Sequence, residues 1–561
     1  MMLAEDHDER SANIESSSSS ESSQSIDSDP ERLPLINPDI DPKAQDYKSI
    51  DGRNDPETEQ EESEVSEEEA TPKSVLAIIS LLLIDGTLVL ATYGTISSEF
   101  GAFGDASWLT TSYALAMCAV QPIVGKLSDL YGRKSVLLTG YVLFASGSVL
   151  TGMGQAMWQV IAGRIVSGIG AAGMTVIVSI LITDLVPLIQ VAAWRSYVNV
   201  VATLGRSIGG PLGGLLADTM GWRWSFVGQG PIILIAIFLV ALKLPSTSSP
   251  PLTKGEPSKL RRIDFIGAFM LATTIVSLLG ALSLGGQNLP WSHPIVTGLA
   301  LGSLLLGASF AAYEVRYALE PIFPPTLVIQ RDVATPYGIY ALQTAAQLGM
   351  MYTVPLYFRS TQGSSNTTAG SHLFPAVLGN AVGGLLSGFL IQRTGRYKSL
   401  TILSSVSACL SYGLLILRWH GHTSWLESLE IVPGGFGTGM AGSATFIALT
   451  VSVDKSEIAV ATGGMYLMSA VGMVVGVAAS SAMQLSTLKN ALAGSLHGPD
   501  AAEVIREVVS DVGKVAGLDE KIRAVVIQCY AKSLEYSHMF SLGCSLVAFL
   551  IAFTVRERSL R

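Results

Sequence analysis

Two ionisable residues stand inside otherwise apolar stretches, Asp85 and Arg164. An ionisable group at membrane depth is expensive and marks an ion or substrate path by default. Asp85 follows the run Leu81–Ile84 and precedes Gly86. A desolvated carboxylate resists ionisation, so it can load and release a proton as its access to water changes, and it can pair with a cationic solute. Its bland alternative is a structural carboxylate at a kink beside Gly86. Arg164 lies two turns inside a run that starts near Trp158. It can tune the proton affinity of Asp85 by proximity, or its long side chain can reach back to the surface. Asn199 and Arg206 are seven apart and share a helix face. Gln343 and Gln347 are four apart, and Asn380 lies in the following run. All five are cavity candidates. Arg206 could equally lock a helix interface, and its charge argues against a site built for cations alone.

Chemistry of other kinds is missing. There is no Gly-x4-Gly-Lys-Ser/Thr phosphate loop and no His-Glu-x2-His pair, so ATP drive and zinc hydrolysis are not encoded in those forms. Cys118, Cys409, Cys529 and Cys544 show no ligand spacing, which excludes a disulfide scaffold and an evident zinc site. The expectation is a chain that is not an enzyme, with no cofactor, no metal and no nucleic-acid partner. Its expected partners are a small-molecule substrate, protons and membrane lipid, and it is read as a monomer.

The residues above need apolar helices to hold them. Of 561 residues, 49% are apolar and 14% charged, and mean hydropathy is +0.44. Soluble chains carry about a quarter charged residues. A helix crosses a bilayer with about 20 mostly apolar residues, and fourteen stretches qualify: 74–96, 108–124, 135–154, 158–183, 191–217, 226–244, 264–284, 295–313, 333–356, 369–391, 399–417, 429–452, 458–484 and 537–555. The fold expected is an all-α polytopic membrane protein.

Lys and Arg collect in alternate loops: Lys126, Arg133 and Lys134; Lys243, Lys254, Lys259, Arg261 and Arg262; Arg393, Arg396 and Lys398; and Arg556, Arg558 and Arg561. Positive charge marks the cytoplasmic side, so both termini are expected there. The sequon at Asn366 then falls on the opposite side, where glycosylation is permitted. The long outer loop 485–536 is expected to form one or two surface helices over the bundle.

The net charge of −10 is unevenly placed: residues 1–70 hold 22 acidic and 5 basic side chains. That segment is rich in Ser, Asp, Glu and Pro and is read as a disordered tail over 1–72. Within it Glu31, Leu35 and Ile36 are spaced like an acidic dileucine signal for a sorting adaptor. In fungi that resemblance implies the vacuolar membrane.

Two loops repeat one pattern. Gly125-Lys-Leu-Ser-Asp129-Leu-Tyr-Gly132-Arg133-Lys134 joins the second and third spans, and Gly388-Phe-Leu-Ile-Gln-Arg-Thr-Gly395-Arg396-Tyr-Lys398 joins the tenth and eleventh. Matched features in two halves mark secondary transporters. The glycines allow a tight turn against a neighbouring helix, and Asp129 with Arg133 can form an ion-pair latch at the cytoplasmic mouth.

The Gly125–Lys134 segment resembles the signature loop of the major facilitator superfamily. The stretch from Asp85-Gly-Thr to Phe100 resembles the first-span motif of its fourteen-span drug:proton antiporter branch. Gly163-Arg164-x3-Gly168-x-Gly170 resembles the fourth-span motif with its buried arginine. Gly205-Arg-Ser-Ile-Gly209-Gly210-Pro211-Leu-Gly213-Gly214, then Gly221-Trp-Arg-Trp-Ser-Phe226, resembles the fifth-span antiporter motif and the loop after it, with Pro211 one position later than usual. Within the branch the chain looks most like fungal vacuolar basic amino acid transporters. The resemblance implies two six-helix bundles, 73–244 and 333–555, around a central cavity. Residues 245–332 would supply a linker and two inserted helices, and 556–561 a cytoplasmic end. It implies proton antiport of basic amino acids in the vacuolar membrane, the alternatives being drug or metabolite efflux at the plasma membrane and a non-transporting nutrient sensor.

Overall fold

The computed structural model describes residues 108–244, 264–285, 289–318, 321–364, 366–421, 423–497, 501–510 and 512–560, preceded by 89, 92, 95–97 and 99–101. Glu31, Leu35, Ile36 and Asp85 lie outside the described residues. The backbones of Arg206, Gly210, Pro211, Gly214 and Asn366 are helical, and their surroundings lie outside the description.

Among the described residues the fold is all helix apart from a single bridge between Gly285 and Leu289. The helices are α1 (Trp108–Tyr131), α2 (Arg133–Met153), α3 (Met157–Leu185), α4 (Leu188–Thr219), α5 (Trp222–Val227), α6 (Gly230–Lys243), α7 (Phe265–Leu284), α8 (Pro294–Arg316), α9 (Pro325–Ile329), α10 (Arg331–Gln362), α11 (Asn366–Ser371), α12 (Phe374–Thr394), α13 (Lys398–Arg418), α14 (Val432–Thr450), α15 (Ile458–Ser495), α16 (Ala501–Ser510) and α17 (Glu520–Ala552). Each expected span from the second to the fourteenth therefore holds a helix, and nine described helices are long and apolar enough to cross a membrane. The protein is an all-α polytopic membrane protein.

Local chemistry sets the ends. Pro stands in the first turn of α6, α8, α12 and α14, where its missing N–H costs nothing. The Asp264 side chain accepts from the Gly267 N–H at 2.9 Å and starts α7. Gly395 closes α12 in the left-handed region at φ 69°.

Helices α1–α6 pack among themselves, and so do α10, α12–α15 and α17. Glycine faces do much of this packing. Gly379 and Gly383 of α12 lie against the backbone of Val432 and Phe436, while Gly435 and Gly439 of α14 lie against Ala376 and Asn380. A Cβ at any of the four would collide with the facing backbone. In lipid, where apolar burial gives little drive between helices, such close approach holds helices together. Gly472 and Gly476 do the same against Ala341 and Ala345 of α10.

Two departures from expectation are clear. The loop 125–134 is mostly helix: α1 continues to Tyr131 and α2 starts at Arg133, so Gly132, at φ 85°, makes the turn alone. The loop 485–536 is largely an extension of its neighbours, because α15 has 38 residues and α17 has 33. Together with α16 they enclose a small core of Leu488, Leu492, Val508, Val526 and Tyr530. Hydropathy marks where a helix leaves lipid, not where it ends.

Candidate functional site

The two helix groups meet along a seam. On one side α4 rests against α12 and α14; on the other, α1 and α3 rest against α15. Both first glycines of the repeated pattern lie on it. Gly125 faces the Ala459 carbonyl in the first turn of α15, and a Cβ there would come within 2.6 Å of that oxygen. Gly388 faces the Ala192 carbonyl and the Ser196 hydroxyl near the start of α4. Each repeat thus presses a bare helix face onto the opposite group.

Polar contacts follow the same line. Ser196 Oγ donates to the Gly384 carbonyl and lies 3.0 Å from Ser443 Oγ. Ser179 Oγ and the Tyr466 hydroxyl are 2.5 Å apart. The Asn199 Nδ2 donates to Asn380 Oδ1 at 2.9 Å, so two cavity candidates from different halves touch. Gln343 and Gln347 turn instead into the second group: Gln343 donates to Ser405 Oγ at 3.1 Å, and Gln347 accepts from Thr438 Oγ1 at 3.2 Å.

Gly125 and Gly388 each lie about two turns from the helix end that leads into a basic loop. Arg133 pairs with Asp129, as its spacing suggested, and also reaches Asp184 at 3.1 Å and Ser128 Oγ at 2.7 Å. Burial pushes the Asp129 carboxyl above its ordinary value against the pull of Arg133 and Lys126. Lys134 Nζ donates to the Ala241 carbonyl at 2.7 Å, a cation on the last turn of a helix. In the second half, Glu557 accepts from the Tyr397 N–H at 2.9 Å, and Arg558 pairs with Asp332 at 2.7 Å. The latch of Asp129 and Arg133 lies within the first group; what crosses the seam here is Gly125.

Arg164 is 1% exposed, so its side chain does not reach back to the surface. Its Nε donates to the Leu109 carbonyl at 3.1 Å, and its guanidinium lies 4.3 Å from the Tyr113 ring and 5.8 Å from the Phe226 ring. Gly168, one turn on, lets the Tyr113 backbone come in close. The spacing Gly163-Arg164-x3-Gly168 thus builds an aromatic slot around a cation. Near it, Glu99 accepts from Trp222 Nε1 at 2.6 Å and pairs with Arg223 at 2.8 Å. The Trp222 bond, with Arg223, holds its carboxyl below the usual range.

Some residues escaped the sequence reading. Arg195, on α4, stacks on Phe446 with its guanidinium carbon 3.5 Å from the ring centroid. Glu314 is 4% exposed and accepts from the Phe323 N–H at 2.7 Å, beside Asp264, which accepts from the Tyr313 hydroxyl at 3.1 Å. The run Gly205-Arg-Ser-Ile-Gly209 spells the Gly-x-Ser-x-Gly of a hydrolase elbow. It runs inside α4, whereas that elbow needs a strand-to-helix turn.

Two helix groups meeting on a glycine-lined seam with polar side chains along it is the arrangement found in many secondary transporters. The chain belongs to the Major Facilitator Superfamily, whose sequence profile matches residues 75–477. It is a transporter of small molecules and not an enzyme. It is 33% identical over 511 residues to the vacuolar membrane amino acid uptake transporter fnx2 of Schizosaccharomyces pombe, across 91% of this chain and 87% of that one. It is 32% identical over 490 residues to the multidrug resistance protein fnx1 of the same yeast, across 86% and 91%. In fold it resembles the human organic anion transporter MFSD10, with a TM-score of 0.57 at 15% identity over 86% of this chain and 99% of that one. The proton:xylose symporter XylE gives a TM-score of 0.55 at 14% identity, over 88% and 97%.

Proposed function

We propose that the chain is a proton-coupled antiporter that moves basic amino acids, of the lysine, histidine and arginine class, across the vacuolar membrane by alternating access. The observation that carries the mechanism is the seam, shut by Gly125 on Ala459 and Gly388 on Ala192 at the basic end. A solute can pass only if those contacts part. The substrate and the membrane rest on the likeness to fnx2. In this reading there are fourteen spans, in bundles 73–244 and 333–555 with two helices inserted between them. The basic end and both termini face the cytosol, so the shut seam is a lumen-facing state. Asp85 carries the proton, Arg164 tunes it, and the loop from Gly125 to Lys134 holds the gate. Arg206 and the glycine face Gly205–Gly214 shape the path along α4. Protons leaving an acidic lumen drive amino acids in, and Asn366 is open to glycosylation from that lumen.

The likeness to fnx1, almost as long and as close, favours a second reading, efflux of drugs by the same machinery. Uptake of labelled lysine into energised vacuolar vesicles separates the two. It should collapse to background on adding a proton uncoupler, and Asp85→Asn should cause the same loss with the protein still in its membrane. Lysine uptake indifferent to uncoupling overturns proton antiport; refusal of lysine with transport of a cationic drug favours efflux.

A further inference from the structure

We propose that Arg195 receives the α-carboxylate of the transported amino acid and that Phe446 displaces it when the basic end shuts; the proposal rests on the amino acid reading above. Arg195 lies on α4, one turn before Asn199 and next to Ser196, both of which bond across the seam. Its guanidinium stacks on Phe446 of α14 at 3.5 Å and lies 5.9 Å from the ring of Tyr466 on α15. Among the described residues, its Nε and Nη1 are buried and have no hydrogen-bond acceptor. The ring face answers the charge in part, but an N–H kept from water without an acceptor is a cost that a ligand can remove. A guanidinium presents its N–H groups as a fork that fits a carboxylate with two parallel bonds. A basic amino acid brings such a carboxylate along with its ammonium groups, and acidic side chains alone could hold only the latter.

The place of Arg195 gives the site a direction. The arginine belongs to the first helix group and Phe446 to the second, so the ring stays over the guanidinium only while the seam is shut. Parting α4 from α14 frees the fork to bind, and closing covers it again. A ligand can shift a conformational equilibrium only by differential affinity for its two states, and here the difference is built into one side chain. Arg164 cannot serve in this way, since its guanidinium is held within the first group by Leu109 and Tyr113.

The test compares lysine with lysinamide, which keeps both amines and lacks the carboxylate, as competitors of labelled lysine uptake by the full chain in vesicles. The wild type should favour lysine by about tenfold or more, as a site with polar groups built for a carboxylate must. Arg195→Gln should raise the half-inhibiting concentration of lysine and leave that of lysinamide in place, erasing the preference; Arg195→Lys should keep part of it. If Arg195→Gln does not turn over, thermal stabilisation of the solubilised full chain by the two compounds reads the same difference. A variant that keeps the preference, or that weakens for both compounds alike, overturns the carboxylate role and leaves the amino acid reading standing. A wild type that recognises neither compound overturns both.

Discussion

Glu99 shows how neighbouring groups set the charge of one side chain. Its bond from Trp222 and its pair with Arg223 hold the carboxyl below the ordinary value. A lowered pKa adds stability at any pH above the ordinary carboxylate value, and that stability is lost only as pH falls through the lowered one. Glu99→Gln should therefore lower the apparent melting temperature by a small amount, on the order of 1–2 °C for a half-exposed pair. The fall should be the same at about pH 5.5 and about pH 7.5. A deficit present at the higher pH and gone at the lower would count against the assignment. Burial acts on Asp129 in the other direction, so its charged form is the strained one, and acidification relieves it. Residue chemistry was only partly legible. The depth of Arg164 followed from its position in a long apolar run. Nothing in the sequence singles out Arg195, which sits near the start of its expected span, where a basic side chain ordinarily reaches for water. Asp184, the second partner of Arg133, is an unremarked acid at a helix end, and nothing in its spacing points 51 residues back along the chain.

Helix faces carry the seam. Gly388 and Gly125 are helical, and their value lies in what they lack: a side chain at Gly388 would enter the space of Ala192 and Ser196, and one at Gly125 would strike the Ala459 backbone. Gly388→Val should keep the basic end from closing. Transport should be lost with the protein still in its membrane, and a cysteine placed at Asn199 should label more readily from the basic end. Gly338→Ala in α10 is the control, since its missing Cβ faces open space, and it should transport normally. Unchanged transport in Gly388→Val would remove the seam from the mechanism. The repeat itself was legible, and so was the need for close approach. Its partner was not: a glycine pattern says that something comes near, and only the fold says that it is the other half. The misplaced helix ends share a cause. Beyond lipid, residues such as Lys489 in α15 and Lys521 in α17 keep helical order without apolar composition.

At the scale of the whole molecule, charge divides into an acidic first 70 residues and a net basic remainder. The tail's one proposed task is addressing. Replacing Glu31, Leu35 and Ile36 together by Ala should move a fluorescent fusion from the vacuole to the cell surface with lysine uptake by isolated membranes intact; no shift removes the sorting role. The membrane class was legible because fourteen apolar stretches leave little else for such a chain to be, and those from the second to the fourteenth are seen as helix. Which end is shut was not, because a single sequence serves every state of the cycle. The pair α7 and α8 adds a consequence. Helix α7 leans on α1 and α15, the two helices that meet where Gly125 touches Ala459. On its free side the pair shows large apolar side chains such as Phe265, Phe269, Leu304 and Leu305. A bilayer thicker or thinner than those faces must tilt or squeeze them, and that load bears on the two helices that α7 touches. The surrounding lipid then acts as a spring on the seam, and the thickness of the host membrane becomes a setting of the transporter's resting state.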